Sequence, residues 1–477
     1  MSEPAPKAPV MADPLVEHPL IEGRYSNAEL NASLMRPVLA GPARWWWVLV
    51  GICSALTVLL MVGMGVTFAK GVGTWGNNIP VAWAFGIINF VWWIGIGHAG
   101  TLISAILLLF AEKWRSSVNR MAEAMTLFAV ACAGLFPLLH LGRPWKFYWL
   151  VPYPSVLRAW PQFRSPLTWD IVAILTYLTV SVLFWYVGLL PDLASARDTA
   201  RETWKRRAWG VLSMGWRGSA RHWLQWRAAY VVLAGVATPL VVSVHTIVSF
   251  DFAVAQLPGW HTTVFPPYFV AGAIFSGLAM VLTLLLPARR ALGLHHVITN
   301  AHLDVLSRLM LVSGLFVAYG YVQEHFFGWY SGNEYEQHAM NILRVGPYAP
   351  LFWTVIFCNV VVPQLFWIGR LRIQPVVLWV AALLVNVGMW LERFLIVVAP
   401  LSEDFLPSSW KHYAPTWVDL SLLSGTMGLF GLGFLLFLKL VPPVPASEVK
   451  HLQHELESSE AFAREAAAQR RSGGGAP

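Results

Sequence analysis

Apolar residues along this chain gather into long unbroken runs, separated by short stretches rich in Arg, Lys, Pro and Gly. A helix rising 1.5 Å per residue needs about 20 apolar residues to cross a bilayer core. Ten runs meet that length: 45–69, 80–110, 119–141, 166–190, 226–250, 265–286, 301–327, 350–369, 375–398 and 418–439. Strands of a membrane barrel would be about half as long and would alternate strictly. The pattern therefore predicts an all-α polytopic membrane protein, its first span anchored at an interface by Trp45, Trp46 and Trp47. Between spans, residues 197–227 are basic and set Trp209, Trp216 and Trp223 seven apart, which predicts one in-plane interfacial helix. The polar stretch 447–471 predicts a surface helix that leans on another subunit or frays.

Composition sharpens this picture. The chain is 57% hydrophobic and only 12% charged, against about 25% charged in soluble domains, which excludes a soluble globule, a disordered chain and a disulfide-stapled module. The net charge of +8 lies in loops, where it orients a membrane protein rather than binding nucleic acid. With ten spans both termini share a side. The loops on that side carry 15 Lys and Arg, those on the other side 7, and the tails widen the margin. Both termini are therefore expected in the cytoplasm. Cys53, Cys132 and Cys358 all sit in apolar runs without CxxC or CxxCH spacing, so iron–sulfur ligation, c-type haem attachment and a structural zinc site by this chain alone are not expected. Residues 1–44 lack the apolar core of a signal peptide.

Ionisable groups inside a bilayer cost about 2.5–3.5 kcal/mol each on insertion scales, so each needs a reason. Sorted by depth, many fall in one outer layer although they come from five spans. They are His140 at the end of span three, Asp170 at the start of span four, His245 and Asp251 late in span five, Glu324 and His325 late in span seven, and Glu392 and Arg393 in span nine. Each also has a plainer use: His140 can cap a helix before Gly142 and Pro144, Asp170 can meet a helix dipole, and Arg393 can pair with a carboxylate. Deeper lies Gly95-Ile-Gly97-His98-Ala-Gly100-Thr101, whose small residues admit a close helix or a flat ligand. His302, Asp304 and Arg308 form a stripe at the other face, read as an ordinary helix-end cluster in preference to a proton entry. A quinol head group would use the outer layer well. It needs an apolar slot, a histidine for one oxygen and a carboxylate to carry protons to water. Two other classes are weighed: a cytochrome b, with His140 and His245 the best ligand pair, and a secondary transporter using the same Asp, Glu and Arg set.

The stretches GIGHAGT (95–101), PLLHLGRPW (137–145) and SPLTWD (165–170), with the ten-span layout, resemble the NrfD/PsrC family of quinone-reactive membrane subunits. Within it the chain is most similar to the ten-helix ActC-type subunit of alternative complex III, over roughly 45–440. That resemblance implies two four-helix bundles, spans two to five and six to nine, with spans one and ten flanking. The organisation expected is a cytoplasmic tail 1–44, a flanking helix 45–79, a first bundle 80–250 with the cytoplasmic loop 191–227, a second bundle 251–398, a flanking helix 399–440 and a cytoplasmic tail 441–477. It further implies quinol oxidation near the periplasmic face, with His140 and Asp170 catalytic and Gly97 and His98 lining the same pocket. Asp251, Arg393, Glu324 and His245 would form a proton relay, possible proton translocation being part of the expectation. The substrate would be a quinol, menaquinol being expected, and the resemblance implies no haem or iron–sulfur cluster in this chain. Partners implied are an iron–sulfur, molybdopterin-like periplasmic subunit, multihaem cytochrome c subunits, a paralogous membrane subunit and lipid, in a bacterial inner membrane. Membrane anchoring of a molybdopterin and iron–sulfur reductase is the alternative reading.

Overall fold

The computed structural model describes residues 18–150 and 163–473. The start of the tail assigned to 1–44, the middle of the 142–165 loop and the last four residues of the 441–477 tail lie outside the described residues. Among the described residues, ten helical segments are long and apolar enough to cross a membrane. They are α2 (Arg44–Lys70), α3 (Ala84–Leu109), α4 (Asn119–His140), α5 (Pro166–Thr199), α7 (Ala220–Ala253), α8 (Phe265–Leu292), α9 (Asn300–Tyr330), the segment Ala349–Trp367 that opens with α11 (Ala349–Ile356), α13 (Pro375–Ser402) and α14 (Trp417–Leu440). Five further helices complete the order: α1 (Asn27–Leu39), α6 (Thr203–Leu212), α10 (Glu334–Arg344), α12 (Gly369–Arg372) and α15 (Ala446–Gly473).

Packing groups these helices. α3, α4, α5 and α7 close on one another, and so do α8, α9, α13 and the α11 segment. α3 and α7 both pack on α8, so the two groups share a broad seam. α2 and α14 pair closely because small residues let their backbones approach: a Cβ at Gly425 or Gly428 would run into Leu60 or Leu56 of α2. In lipid such contacts bind through dispersion rather than water exclusion.

Three elements depart from the sequence pattern. The interfacial helix expected over 197–227 is broken: α6 ends at Leu212, Met214, Gly215 and Gly218 take left-handed φ of 47°, 71° and 68°, and α7 starts afresh at Ala220. Trp209, Trp216 and Trp223 therefore belong to a helix, a turn and another helix, because two glycines supply cheap left-handed backbone. The eighth span is irregular. α11 passes into a π-helical turn at Phe357–Val361 and a 3-10 stretch at Val362–Trp367, where Pro363 has no N–H to continue an α-ladder. The C-terminal helix α15 docks its first half on its own chain, with Val449 and Leu452 buried and Lys450 bonded to Asn31 of α1 at 3.0 Å.

α3 starts, α4 ends, α5 starts and α7 ends at the same extremity of the bundle, called here the far end. The opposite, terminus end carries α1 and α15.

Candidate functional site

At the far end, α4 stops at His140, and Gly142 reverses the chain with φ 62°. The half-buried imidazole stacks on Trp83 (centroids 5.4 Å, planes 19° apart) and meets the edge of Trp75 at 6.1 Å. Trp83 sits at the N-cap of α3 with a left-handed φ of 59°. For a non-glycine residue that conformation costs about 1–3 kcal/mol and persists only where neighbours enforce it. Here the enforcing loop is tied down: Asn78 Oδ1 accepts from Val81 N–H at 2.8 Å, and the buried Asp419 of α14 accepts from Gly76 N–H at 2.8 Å. One turn into α3, Gly86 leaves room for the ring, since a Cβ there would lie 2.6 Å from His140 Nε2. That nitrogen is shielded from solvent and makes no well-formed hydrogen bond.

Asp170 lies in the early turns of α5, after Ser165 and the helix-opening Pro166, and is buried. Its carboxyl faces that of Asp251 near the end of α7, and one oxygen of each is buried without a partner. Asp170 and Asp251 thus form one pair. Among the described residues no hydrogen bond or ring contact joins His140 to Asp170.

Gly97 and His98 lie elsewhere. His98 is twelve residues beyond Gly86, roughly 18 Å along α3 at 1.5 Å per residue. It is 1% exposed, stacked on Tyr177 of α5 at 4.8 Å and set edge-on to His245 of α7 at 4.7 Å. None of the four ring nitrogens makes a well-formed hydrogen bond. The Gly97 carbonyl accepts from Tyr177 Oη at 2.6 Å and Thr126 Oγ1 at 2.7 Å, and a Cβ on Gly97 would press on Val130. This glycine serves a helix contact, and His98 pairs with His245 rather than sharing a pocket with His140.

Across the seam, the His245 ring lies 6.0 Å from Phe269, over which Arg393 stands at 4.5 Å. Gly272 of α8 makes space for that guanidinium. Arg393 donates to the buried Glu392, which also accepts from Tyr321 and from Asn359 Nδ2 at 3.3 Å. Asn359 belongs to the π turn, a distortion common at functional sites because it re-aims one side chain. Glu324, one turn beyond Tyr321 on α9, lines a cavity of about 400 Å³ with Glu336, His261 and Asn333. Glu336 accepts from Gly259 N–H at 3.0 Å, yet partial burial holds its carboxyl above the ordinary glutamate range. His325 turns away toward Phe352. The stripe at the other face is structural: His302 caps α9 through Thr299 N–H at 3.0 Å, and Asp304 binds Arg308 and Arg372 at 2.6 Å each.

Trp83, Tyr177, Tyr321, Asn359 and Glu123 escaped the sequence reading. The four uncharged residues carry no depth signal in an apolar run, and Glu123 lies at the start of a helix where a carboxylate is unremarked. Among the described residues no group of three or more metal-ligating side chains comes together.

Comparison with known proteins bears on this arrangement. Residues 74–402, more than half of the chain, match the family described as "Polysulphide reductase, NrfD". A putative dimethyl sulfoxide reductase membrane subunit of Halobacterium salinarum is 27% identical over 298 residues, 61% of this chain and 62% of that relative's length. A selenate reductase subunit of Mesobacillus selenatarsenatis is 23% identical over 427 residues, 84% of this chain and 96% of that protein.

Proposed function

This chain belongs to the polysulphide reductase NrfD family, and from that premise we propose that it is the quinone-reactive membrane subunit of an oxidoreductase complex. It oxidises a quinol, menaquinol in our reading, at the far end of the first bundle, in an assembly of the alternative complex III type. One observation carries this reading. An imidazole nitrogen and one oxygen from each of two paired carboxyls, all shielded from solvent and without a well-formed hydrogen bond, occur at the same end of one four-helix bundle. Buried polar atoms are normally satisfied, so such atoms suggest a ligand or water.

A quinol losing two electrons also releases two protons. His140 Nε2 is suited to accept one as it forms, since imidazole titrates near working pH. Asp170 and Asp251, two carboxyls in contact, are suited to hold another between them, because like charges at contact disfavour full ionisation. Trp83, exposed beside His140, offers a flat apolar wall on which an aromatic head group can stack. No redox centre in this chain is required: the electrons pass to an iron–sulfur partner docked at the far end, which the loop charges put in the periplasm, and on to multihaem cytochrome c subunits beside a paralogous membrane subunit. Arg393, Glu392, Tyr321 and Glu324 offer a polar exit toward the 400 Å³ cavity.

The names of the two relatives favour a second reading, in which the same quinone chemistry serves a terminal reductase with a molybdopterin and iron–sulfur partner. The test uses the complex purified from its native membrane. His140→Ala and Asp170→Asn are expected to abolish quinol-driven reduction of the partner without preventing assembly, and full turnover in either would refute the site. Reoxidation by cytochrome c rather than by dimethyl sulfoxide or selenate separates the two assemblies.

A further inference from the structure

At the terminus end of the first bundle lies a second buried polar set that the quinol reading leaves unused. Its centre is Glu123 of α4, 2% exposed. One carboxylate oxygen accepts from Ser104 of α3 and from Tyr230 Oη of α7, the latter at 3.1 Å. The other oxygen is buried and has no partner.

The charged groups around it are committed elsewhere. On its own helix Arg120 binds Asp192 of α5 at 2.8 Å and the Gly188 carbonyl at 2.9 Å. From the turn Lys113–Ser117, Arg115 stands over the Tyr230 ring at 5.9 Å and binds Glu448 of α15 at 2.8 Å. Glu448 also accepts from Asn119 at 3.3 Å, and α15 thereby covers this end of the bundle. Asp192 is held in turn by the Ser447 N–H at 3.3 Å. Each arginine has a carboxylate of its own, so Glu123 is not half of an ion pair. Accepting two hydroxyl hydrogen bonds needs only an amide oxygen, so a glutamine would serve structure without the cost of a buried charge. What glutamine lacks is the ability to take and return a proton.

A route leads inward from this carboxyl. One turn along α3 from Ser104, Thr101 donates to Ser181 of α5 at 3.3 Å. The Tyr177 hydroxyl lies within reach of the hydroxyls of Thr101, Ser181 and Thr126, and its ring stacks on His98, which meets His245. Every side chain named can accept one proton while giving up another; the steps from Ser104 to Thr101 and from Tyr177 to His98, which no hydrogen bond among the described residues joins, need a bridging water.

We propose that Glu123 is a proton-binding site that loads from the terminus side beneath the Arg115–Glu448 bridge and delivers through Ser104, Thr101, Ser181 and Tyr177 to His98. The carboxylate takes one proton from water to become the acid and returns to carboxylate as the proton moves on; nothing in the column is oxidised or reduced. The proton binding stands by itself. Only the electron transfer that draws protons along the column rests on the quinone-linked reading.

Two measurements on the intact complex test this. Dicyclohexylcarbodiimide condenses with protonated carboxyls in apolar surroundings to a stable N-acylurea, and peptide mass mapping locates it. Labelling of Glu123 is expected, declining as pH rises and shifted in pH dependence by Tyr230→Phe; absence of an adduct at Glu123 across pH overturns the proposal, whether or not quinol turnover is seen. In proteoliposomes, Glu123→Gln is expected to keep quinol-driven electron transfer within about twofold while cutting proton uptake per electron from the terminus side by about half or more. Glu123→Asp should restore part of it. Uptake per electron unchanged in Glu123→Gln, or no uptake by the unaltered complex, overturns the delivery step. Should Glu123→Gln fail to assemble, labelling of the unaltered complex decides.

Discussion

Adding a single methyl group at Gly86 should disable quinol oxidation while leaving the fold intact. A Cβ built there lies 2.6 Å from His140 Nε2 and 2.8 Å from Trp75 Cζ3, where ordinary contacts begin at 3.4 Å. The imidazole is hemmed in by Trp83 on one face and the Trp75 edge on another, and Trp75 is itself pinned by its Nε1–H donating to Thr67 at 3.0 Å. Neither ring can yield alone, so the imidazole must shift by nearly an ångström, a displacement that can cost about 10²-fold in rate for a group that must align with a reacting atom. Glycine to alanine otherwise favours a helix by about 0.5–1 kcal/mol, so assembly should not suffer from propensity. Gly134→Ala on α4 is the control, because a Cβ there meets nothing within 4 Å. The assay is quinol:acceptor turnover by the purified complex, with kcat and KM separated. A Gly86→Ala complex that turns over within about twofold of Gly134→Ala would refute the placement of the reacting group at His140.

Other outcomes follow from the same geometry. Arg393→Leu strands the buried Glu392 without its cation and should cost about 3–5 kcal/mol, seen as a large drop in the thermal unfolding midpoint in detergent; an unchanged midpoint would contradict the buried pair. Trp83→Gly should move stability and activity in opposite senses. Relief of the left-handed strain favours the fold by up to about 1–3 kcal/mol, while loss of the stacked indole raises KM for quinol; an unaltered KM would remove Trp83 from the site. Tyr321→Phe takes a hydrogen bond from Glu392 and from Asn359 and should destabilise by about 1–3 kcal/mol, with Glu392→Gln coupled to it in a double-mutant cycle; additive effects would argue against a shared network.

Much of the architecture was legible because bilayer thickness fixes helix length, and each of the ten apolar runs overlaps a helical segment of the structure. Elements that do not cross were less visible. α1 announces itself only by the capping box of Ser26 with Glu29, and α10 by its Asn333 cap. The break between α6 and α7 hid behind a seven-residue tryptophan spacing, although Gly215 and Gly218 were its signal. The depth of ionisable residues can be read from a sequence; their rotation about each helix cannot. Hence His140, Asp170 and Asp251 were recognisable as one far-end layer, whereas His245, read into the same layer, sits beside the deeper His98. The joining of Asp170 to Asp251 or of His98 to His245 was not visible, since partners are set by how neighbouring helices face one another. Trp83 was hidden for a different reason, its position depending on a strained loop anchored by Asp419 from the far end of the chain.

A density map of the native complex with a bound quinone analogue tests the central claim most directly. The account predicts a head group at the far end of the first bundle, one oxygen within hydrogen-bond distance of His140 Nε2 and its ring against the tryptophan wall. A head group seated at the terminus end, or in the second bundle away from His140, would contradict it.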